Sequence, residues 1–311
     1  MSSAQALVVR HGSLGDLVLT VPVIQTLTKQ GFQVTMAVRE SWGKLLLATG
    51  CGFSLLPLDS QFFLPFFQDF PLENHSQREI LSSFDLILSF TDPAERFSEN
   101  LKAYSRVKPV FHPVFASSVS LHLTDYLLQP LKKLFGQVED KPDLSLPGQT
   151  YQYLVIHPGS GSSRKNWPEE NFCSLTKKIP SDIPFQILLG PAEEKKKSFW
   201  EKVFPARKVI FSATWQQLLQ ALKTTRVFLG NDSGVTHLAA ATGIKTIAIF
   251  GPTDPKIWAP RGKYVCLFSG RTDCSPCLPA GPEPSCNKEC LRKITVSSVV
   301  SEIERMWRSP I

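Results

Sequence analysis

Short apolar runs ending in turn residues, each followed by a helix-like stretch, recur along almost the whole chain. In the first half these runs are "ALVVR", "QVTMAVR", "FSLLPL", "FDLILSF" and "VKPVF", with helical patterns from Gly15, near Trp42 and over residues 121–135. Strands joined through helices run parallel in one sheet, so the pattern specifies an α/β layer. The alternation then restarts. The second half reads "YQYLVIHPGS", a helix from Pro168, "FQILLGP", a lysine-rich helix from Glu193, "KVIFS", a helix from Thr214, "RVFLGNDSG", a helix from Ser233, "KTIAIFGP" and "YVCLFS", then a last helix capped by Thr295. Between the halves lies "GQVEDKPDLSLPGQT", a polar stretch broken by prolines and glycines and therefore a linker. A chain of 311 residues is about twice the usual domain length. Two α/β domains are expected, residues 1–145 and 146–311, with a cleft between them.

Several classes are disfavoured by composition. The longest apolar runs, such as "LVLTVPVI", fall well short of the ~20 residues a bilayer span requires. The opening "MSSAQALVVRHGSLGD" has neither a basic flank nor a sustained apolar core, so a cytoplasmic location is expected. The formal charge of +7 is unevenly spread: residues 1–145 carry 12 Lys/Arg against 14 Asp/Glu, and residues 146–311 carry 22 against 13. A basic second half suits an anionic ligand, and it equally serves solubility.

Five turns after strands carry residues able to do chemistry. "NDSGVTHLAAATG" follows an apolar strand and opens a helix, whose free N–H groups and dipole favour a phosphate. Ser233 and Gly234 sit where they would touch it, and His237 lies one turn on along the same face. As plain structure, Asp232 and Ser233 would be caps and His237 a surface histidine. "IHPGSGSSRKNWPEENF" joins a Gly/Ser loop to Arg164 and Lys165, a combination suited to gripping a diphosphate. Thr253 in "FGPTDP" would line a cleft. Glu193 in "LLGPAEE" would accept ribose hydroxyls or simply start a helix. In "RHGSLGD", Ser13 and Gly15 precede Asp16, a carboxylate that either caps the following helix or takes a proton from a hydroxyl placed against it.

Taken together, "RHGSLGDLVLTVPVI", "IHPGSGSSRKNWPEENF", "LLGPAEE", "NDSGVTHLAAATG" and "FGPTDP" resemble, in content and order, the ADP-heptose:lipopolysaccharide heptosyltransferases, the ninth family of glycosyltransferases. The resemblance implies a GT-B architecture: two Rossmann-like domains facing across a cleft, acceptor on the first and sugar nucleotide on the second. It further implies an inverting transfer of heptose from ADP-heptose to a lipopolysaccharide core acceptor, at the inner membrane surface and with no metal in catalysis. By the same resemblance Asp16 is the general base and Lys165 neutralises the leaving diphosphate. Ser13 and Gly15 lie at the acceptor, Ser233, Gly234 and His237 form the phosphate turn, Asp232 is its acidic neighbour, Thr253 borders it, and Glu193 contacts the nucleotide.

Cys274, Cys277, Cys286 and Cys290 cluster in "CSPCLPAGPEPSCNKEC". Thiolates at this spacing suit a structural zinc or iron site, and the other reading is four reduced thiols in a structured loop. Some related protein-directed heptosyltransferases hold a metal with such a cluster. Three rival functions follow from the same residues: transfer from another sugar nucleotide or to another acceptor, an NAD-dependent oxidoreductase, and a basic nucleic-acid-binding protein. The oxidoreductase lacks the G-x-G-x-x-G spacing in its first turn. The nucleic-acid reading leaves Asp16 unexplained, so no nucleic-acid partner is expected.

Overall fold

The computed structural model describes residues 3–69, 75–114, 120–204, 208–278 and 286–310. The chain divides into two compact units, Met1–Pro142 and Asp143–Ile311, a boundary three residues before the expected one. Each unit is a parallel sheet with helices in its crossovers, the fold class its sequence pattern implies.

The first unit has strands β1 (Gln5–Val9), β2 (Gln33–Val38), β3 (Ser54–Pro57), β4 (Leu86–Ser89) and β5 (Val110–Phe111), ordered β3-β2-β1-β4-β5. Its helices are α1 (Leu14–Lys29), α2 (Glu40–Ala48), α3 (His75–Ser82), α4 (Arg96–Tyr104), α5 (Leu123–Leu127) and α6 (Gln129–Phe135). Two departures from the sequence pattern have local causes. The single helix expected over 121–135 is two short ones, because Pro130 in the first turn of α6 supplies no N–H to continue the ladder. Helix α4 is not among the expected elements, its "RFSENLKAY" being rich in Ser and Asn, yet Phe97, Leu101 and Tyr104 recur at helical spacing and are buried. They join Phe63 and Phe66 from a 3-10 segment, Gln61–Phe67, in a core against β1 and β4.

In the second unit, β6 (Tyr153–His157), β7 (Phe185–Leu189), β8 (Val209–Phe211), β9 (Thr225–Asn231), β10 (Lys245–Phe250) and β11 (Val265–Ser269) lie in the order β11-β10-β9-β6-β7-β8. Helices α7 (Glu169–Lys178), α8 (Lys197–Val203), α9 (Trp215–Lys223), α10 (Gly234–Ala241), α11 (Pro255–Trp258), α12 (Glu289–Arg292) and α13 (Val296–Arg308) complete it. The lysine-rich helix expected from Glu193 is instead a 3-10 turn, Pro191–Lys196, followed by α8. Both sheets reverse strand order once, between β1 and β4 and between β6 and β9. Loops leaving the carboxyl ends of those strands diverge there, which is where open parallel sheets bind ligands. Among the described residues no helix is long and apolar enough to cross a membrane.

Phe172 packs edge-on to Trp167 at 5.1 Å and to Trp200 at 6.5 Å within the fully buried core of the second unit. Phe172→Ala is expected to cost about 3–5 kcal/mol through lost transfer energy and a residual cavity, measured by urea denaturation followed through tryptophan fluorescence.

Candidate functional site

In the second unit the switch-point loops are stitched together by Asn231, a fully buried residue at the end of β9. Its Oδ1 accepts the Trp167 N–H at 2.9 Å, and its Nδ2 donates to the Pro158 carbonyl at 2.8 Å. This holds the loop after β6, which ends in a 3-10 turn at Ser163–Lys165, beside the chain leaving β9. Sequence reasoning passed over Asn231, although an amide directly before Asp232 at the end of an apolar strand was the available signal.

Asp232 is 6% exposed, and its Oδ2 receives Lys165 Nζ at 2.8 Å and the Thr253 hydroxyl at 2.7 Å. His237 Nε2 lies 3.9 Å from Oδ1. Burial by itself pushes the Asp232 carboxyl up, but His237 and Lys165 outweigh it and hold it at about 2. Lys165 remains 28% exposed, so its ammonium keeps donors for a ligand beyond the carboxylate it touches. Ser233 caps α10, accepting the Thr236 N–H at 3.3 Å, and Gly234 opens the helix. His237 is buried rather than on the surface, and its Nδ1 has no hydrogen-bond partner among the described residues.

Glu193 stands apart from this group. Its Oε2 accepts the Gly190 N–H at 2.9 Å, the helix-start role, and the carboxylate packs over Gly159. A Cβ at Gly159 would fall 1.8 Å from Oε1, so the glycine is required for the loop after β6 to pass that close.

In the first unit Asp16 is 24% exposed at the start of α1. Its Oδ2 accepts both the Ser13 N–H at 2.8 Å and the Ser13 hydroxyl at 2.7 Å, so the capping role is realised. Its Oδ1 is 3.2 Å from Nη2 of Arg10, a guanidinium only 4% exposed at the end of β1. Burial pulls Arg10 below its ordinary value and Asp16 partly restores it. Arg10 was missed from sequence; a cation ending an apolar strand just before a glycine loop was the signal. Gly12 has φ +144°, and a Cβ there would meet Asp16 Cβ at 2.8 Å. Gly15 is buried in the first turn of α1.

The cysteine loop is fastened next to Thr253, with the N–H groups of Cys277 and Leu278 both donating to the Pro252 carbonyl at 2.9 Å. Burial and then the neighbouring cysteines raise the thiols of Cys277 and Cys290. However, among the described residues no group of three or more His, Cys, Asp or Glu is disposed to hold a metal ion. Cys277 and Cys290 each feel the charge of the other cysteines of the cluster, so the thiols of Cys274, Cys277, Cys286 and Cys290 gather in one region, with part of the loop between them outside the described residues. Cys290 turns into the hydrophobic core, while Cys274 and Cys286 face solvent.

Because the folded Asp232 carboxyl titrates below its unfolded value, it contributes stability above pH ~4 that is lost as pH falls toward about 2. A depression of that size is worth roughly 2–3 kcal/mol near neutrality. Urea denaturation of the native protein and of Asp232→Asn should differ most near neutrality, the difference shrinking through that acid window.

The model of Glycosyltransferase family 9 (heptosyltransferase) matches residues 112–285, more than half of the chain. Lipopolysaccharide heptosyltransferase 1 of Escherichia coli O18:K1:H7 is 28% identical over 130 residues, which span 40% of this chain and 40% of that relative. The match to this curated relative thus spans well under two thirds of its length. Among solved structures, a glycosyl transferase family 9 protein from Veillonella parvula superposes with a TM-score of 0.73 at 16% identity, covering 99% of this chain and 98% of the other. The Escherichia coli ADP-heptose lps heptosyltransferase II gives 0.71 at 16%, covering 97% and 98%. The iron-containing dodecameric glycosyltransferase TibC from enterotoxigenic Escherichia coli gives 0.64 at 14%, covering 99% and 79%. These likenesses carry the GT-B fold, and with the family match they show that this chain belongs to glycosyltransferase family 9, the heptosyltransferases.

Proposed function

We propose that the protein transfers a heptose from an ADP-heptose to a lipopolysaccharide core acceptor, the first unit binding the acceptor and the second the nucleotide sugar. The supporting observation is a matched pair of ion pairs with opposite polarity. The first unit presents a carboxylate, Asp16, held by the buried Arg10; the second presents an ammonium, Lys165, held by the buried Asp232. An inverting glycosyl transfer needs these two charges: a base for the attacking hydroxyl and a cation for the departing diphosphate.

In this reading Asp16 takes the proton of an acceptor hydroxyl as its oxygen attacks the anomeric carbon, and the bond to ADP breaks from the opposite face. Negative charge gathering on the diphosphate is met by Lys165 and by the N–H groups at the start of α10, around Ser233 and Gly234. The unpartnered ring nitrogen of His237 gives a further polar group for the donor. Ser13 and Gly15 line the acceptor side, Glu193 shapes the loop after β6 on the nucleotide side, and Thr253 acts through Asp232. With Lys165 and α10 bearing the leaving-group charge, the reaction runs without a metal, on the cytoplasmic face of the inner membrane. Iron is named for TibC itself; no step here passes through one.

Asp16→Asn tests the base. The amide oxygen can stay on Ser13, but the NH2 then faces the Arg10 guanidinium, so a stability loss of about 1–3 kcal/mol accompanies the change. Transfer is expected to fall by roughly 10²–10⁴ while affinity for the ADP-sugar stays put. Transfer near the wild-type rate would leave Asp16 a helix cap only.

Lys165→Ala removes a charge-assisted contact of ~1.5–3 kcal/mol, so ADP should bind about ten- to a hundredfold more weakly by calorimetry. Because the substitution also strands buried Asp232, the melting temperature should drop as well. A chelator in the assay should change transfer by less than about twofold, since the leaving-group charge is met by side chains and helix N–H groups. Loss of transfer in chelator, with the fold intact, would sink the metal-independent mechanism.

A further inference from the structure

The first unit carries an apolar surface that none of the groups above uses. In the 3-10 segment Gln61–Phe67, Phe63 and Phe66 are fully buried, whereas Leu64 is 59% and Phe67 55% exposed. Isolated exposed side chains need no explanation, but Phe67 is not isolated. Its ring lies 5.2 Å from that of Phe97, and Phe97 in turn meets the His11 ring edge-on at 5.3 Å. His11 is exposed and begins the loop that ends in Asp16. The three rings come from the chain beyond the carboxyl ends of β3, β4 and β1, the edge of the sheet at which ligands bind. Phe97 is buried and packed against Phe63 and Phe66, so the exposed ring of Phe67 rests on a rigid base and loses little freedom on binding.

Charge narrows what such a surface takes. Acidic residues outnumber basic ones in the first 145 residues, and the Arg96 guanidinium bordering the ring cluster is taken up by Asp69 at 3.3 Å and Glu99 at 2.6 Å. Arg78 stacks over Tyr104 at 5.2 Å. Desolvation of the ring edge packed on Phe97 and the adjacent Arg10 charge hold the His11 imidazole below its ordinary value, which disfavours its charged form. This border suits the C–H face of a weakly charged sugar ring better than a cluster of phosphates.

We propose that Phe67, flanked by Leu64 and His11, is a stacking platform for a sugar ring of the acceptor, and that it selects acceptors by apolar contact rather than by ion pairing. This rests on the reading of the first unit as the acceptor side. The platform seats the ring next to the one whose hydroxyl faces Asp16, so it governs acceptor affinity more than the chemical step.

The test uses the full chain with ADP-heptose and a de-O-acylated, dephosphorylated lipopolysaccharide core oligosaccharide as acceptor. Phe67→Ala should raise the acceptor KM by about tenfold, with kcat and the donor KM changed by less than about twofold. Phe67→Trp keeps a ring and should restore the KM, while Leu134→Ala, an exposed apolar residue elsewhere on the unit, should not raise it. Raising salt should leave the wild-type acceptor KM within about twofold, because ion pairs and not stacking are screened. In parallel, saturation-transfer NMR of the oligosaccharide without donor reads binding alone. An unchanged acceptor KM in Phe67→Ala, a KM that climbs steeply with salt, or no oligosaccharide binding to the wild type overturns the platform. If no ADP-sugar supports transfer but binding seen in the wild type disappears in Phe67→Ala, the transferase reading fails and the platform stands.

Discussion

A carboxylate buried as deeply as Asp232 stays ionised only if cations and donors are brought to it, and here they come from three separate stretches of chain. Lys165 arrives from the loop after β6, His237 from α10 and Thr253 from the turn after β10. Breaking a buried pair by removing one member leaves an uncompensated charge that costs several kcal/mol, so the three segments are constrained together. The strand order is what makes this geometry available. With β6 and β9 adjacent, their loops part at the middle of the sheet and Asn231 can clamp one to the other.

The first unit solves the same problem with the signs exchanged. There the buried member is the cation Arg10, and the partly exposed member is Asp16. A buried counter-ion fixes the direction of the group that faces outward without consuming all of its hydrogen-bonding capacity. Asp16 has a second constraint, since Ser13 occupies its other oxygen from the cap. Capping and catalysis are therefore not competing readings of this residue. The cap sets the geometry on which the proposed proton transfer depends.

The sheets, the two-unit division and the turns that hold the proposed site could be read from sequence because local pattern determines them. Apolar runs mark parallel strands buried on both faces, and Gly, Ser and Asp mark the turns between strand and helix. What escaped was long-range or locally ambiguous. Arg10 looks like the polar end of a strand until Asp16 is seen 3.2 Å away, and Asp232 beside a diphosphate looks repulsive until Lys165 is seen paired with it. The helix α4 hid behind poor helix formers, its burial being supplied by a phenylalanine-rich segment about 30 residues earlier. The cysteine spacing marked a cluster, and the structure adds that Cys290 also packs into the core of the second unit.

Global and local charge act at different ranges in this chain. The excess of Lys and Arg after residue 145 produces a field that favours an anionic ligand before any individual contact forms. That field cannot choose which atom is protonated or which bond breaks. Those choices would fall to the paired groups, in each of which the two charges offset one another and the more exposed member is the one a ligand meets: Arg10 is offset by Asp16, and the repulsion of Asp232 for a diphosphate is offset by Lys165. An acidic residue next to a phosphate site is thus compatible with anion binding when it is buried behind the cation it orients. The same reasoning explains why an acceptor held by aromatic rings is consistent with a first unit whose net charge gives a polyanion no advantage.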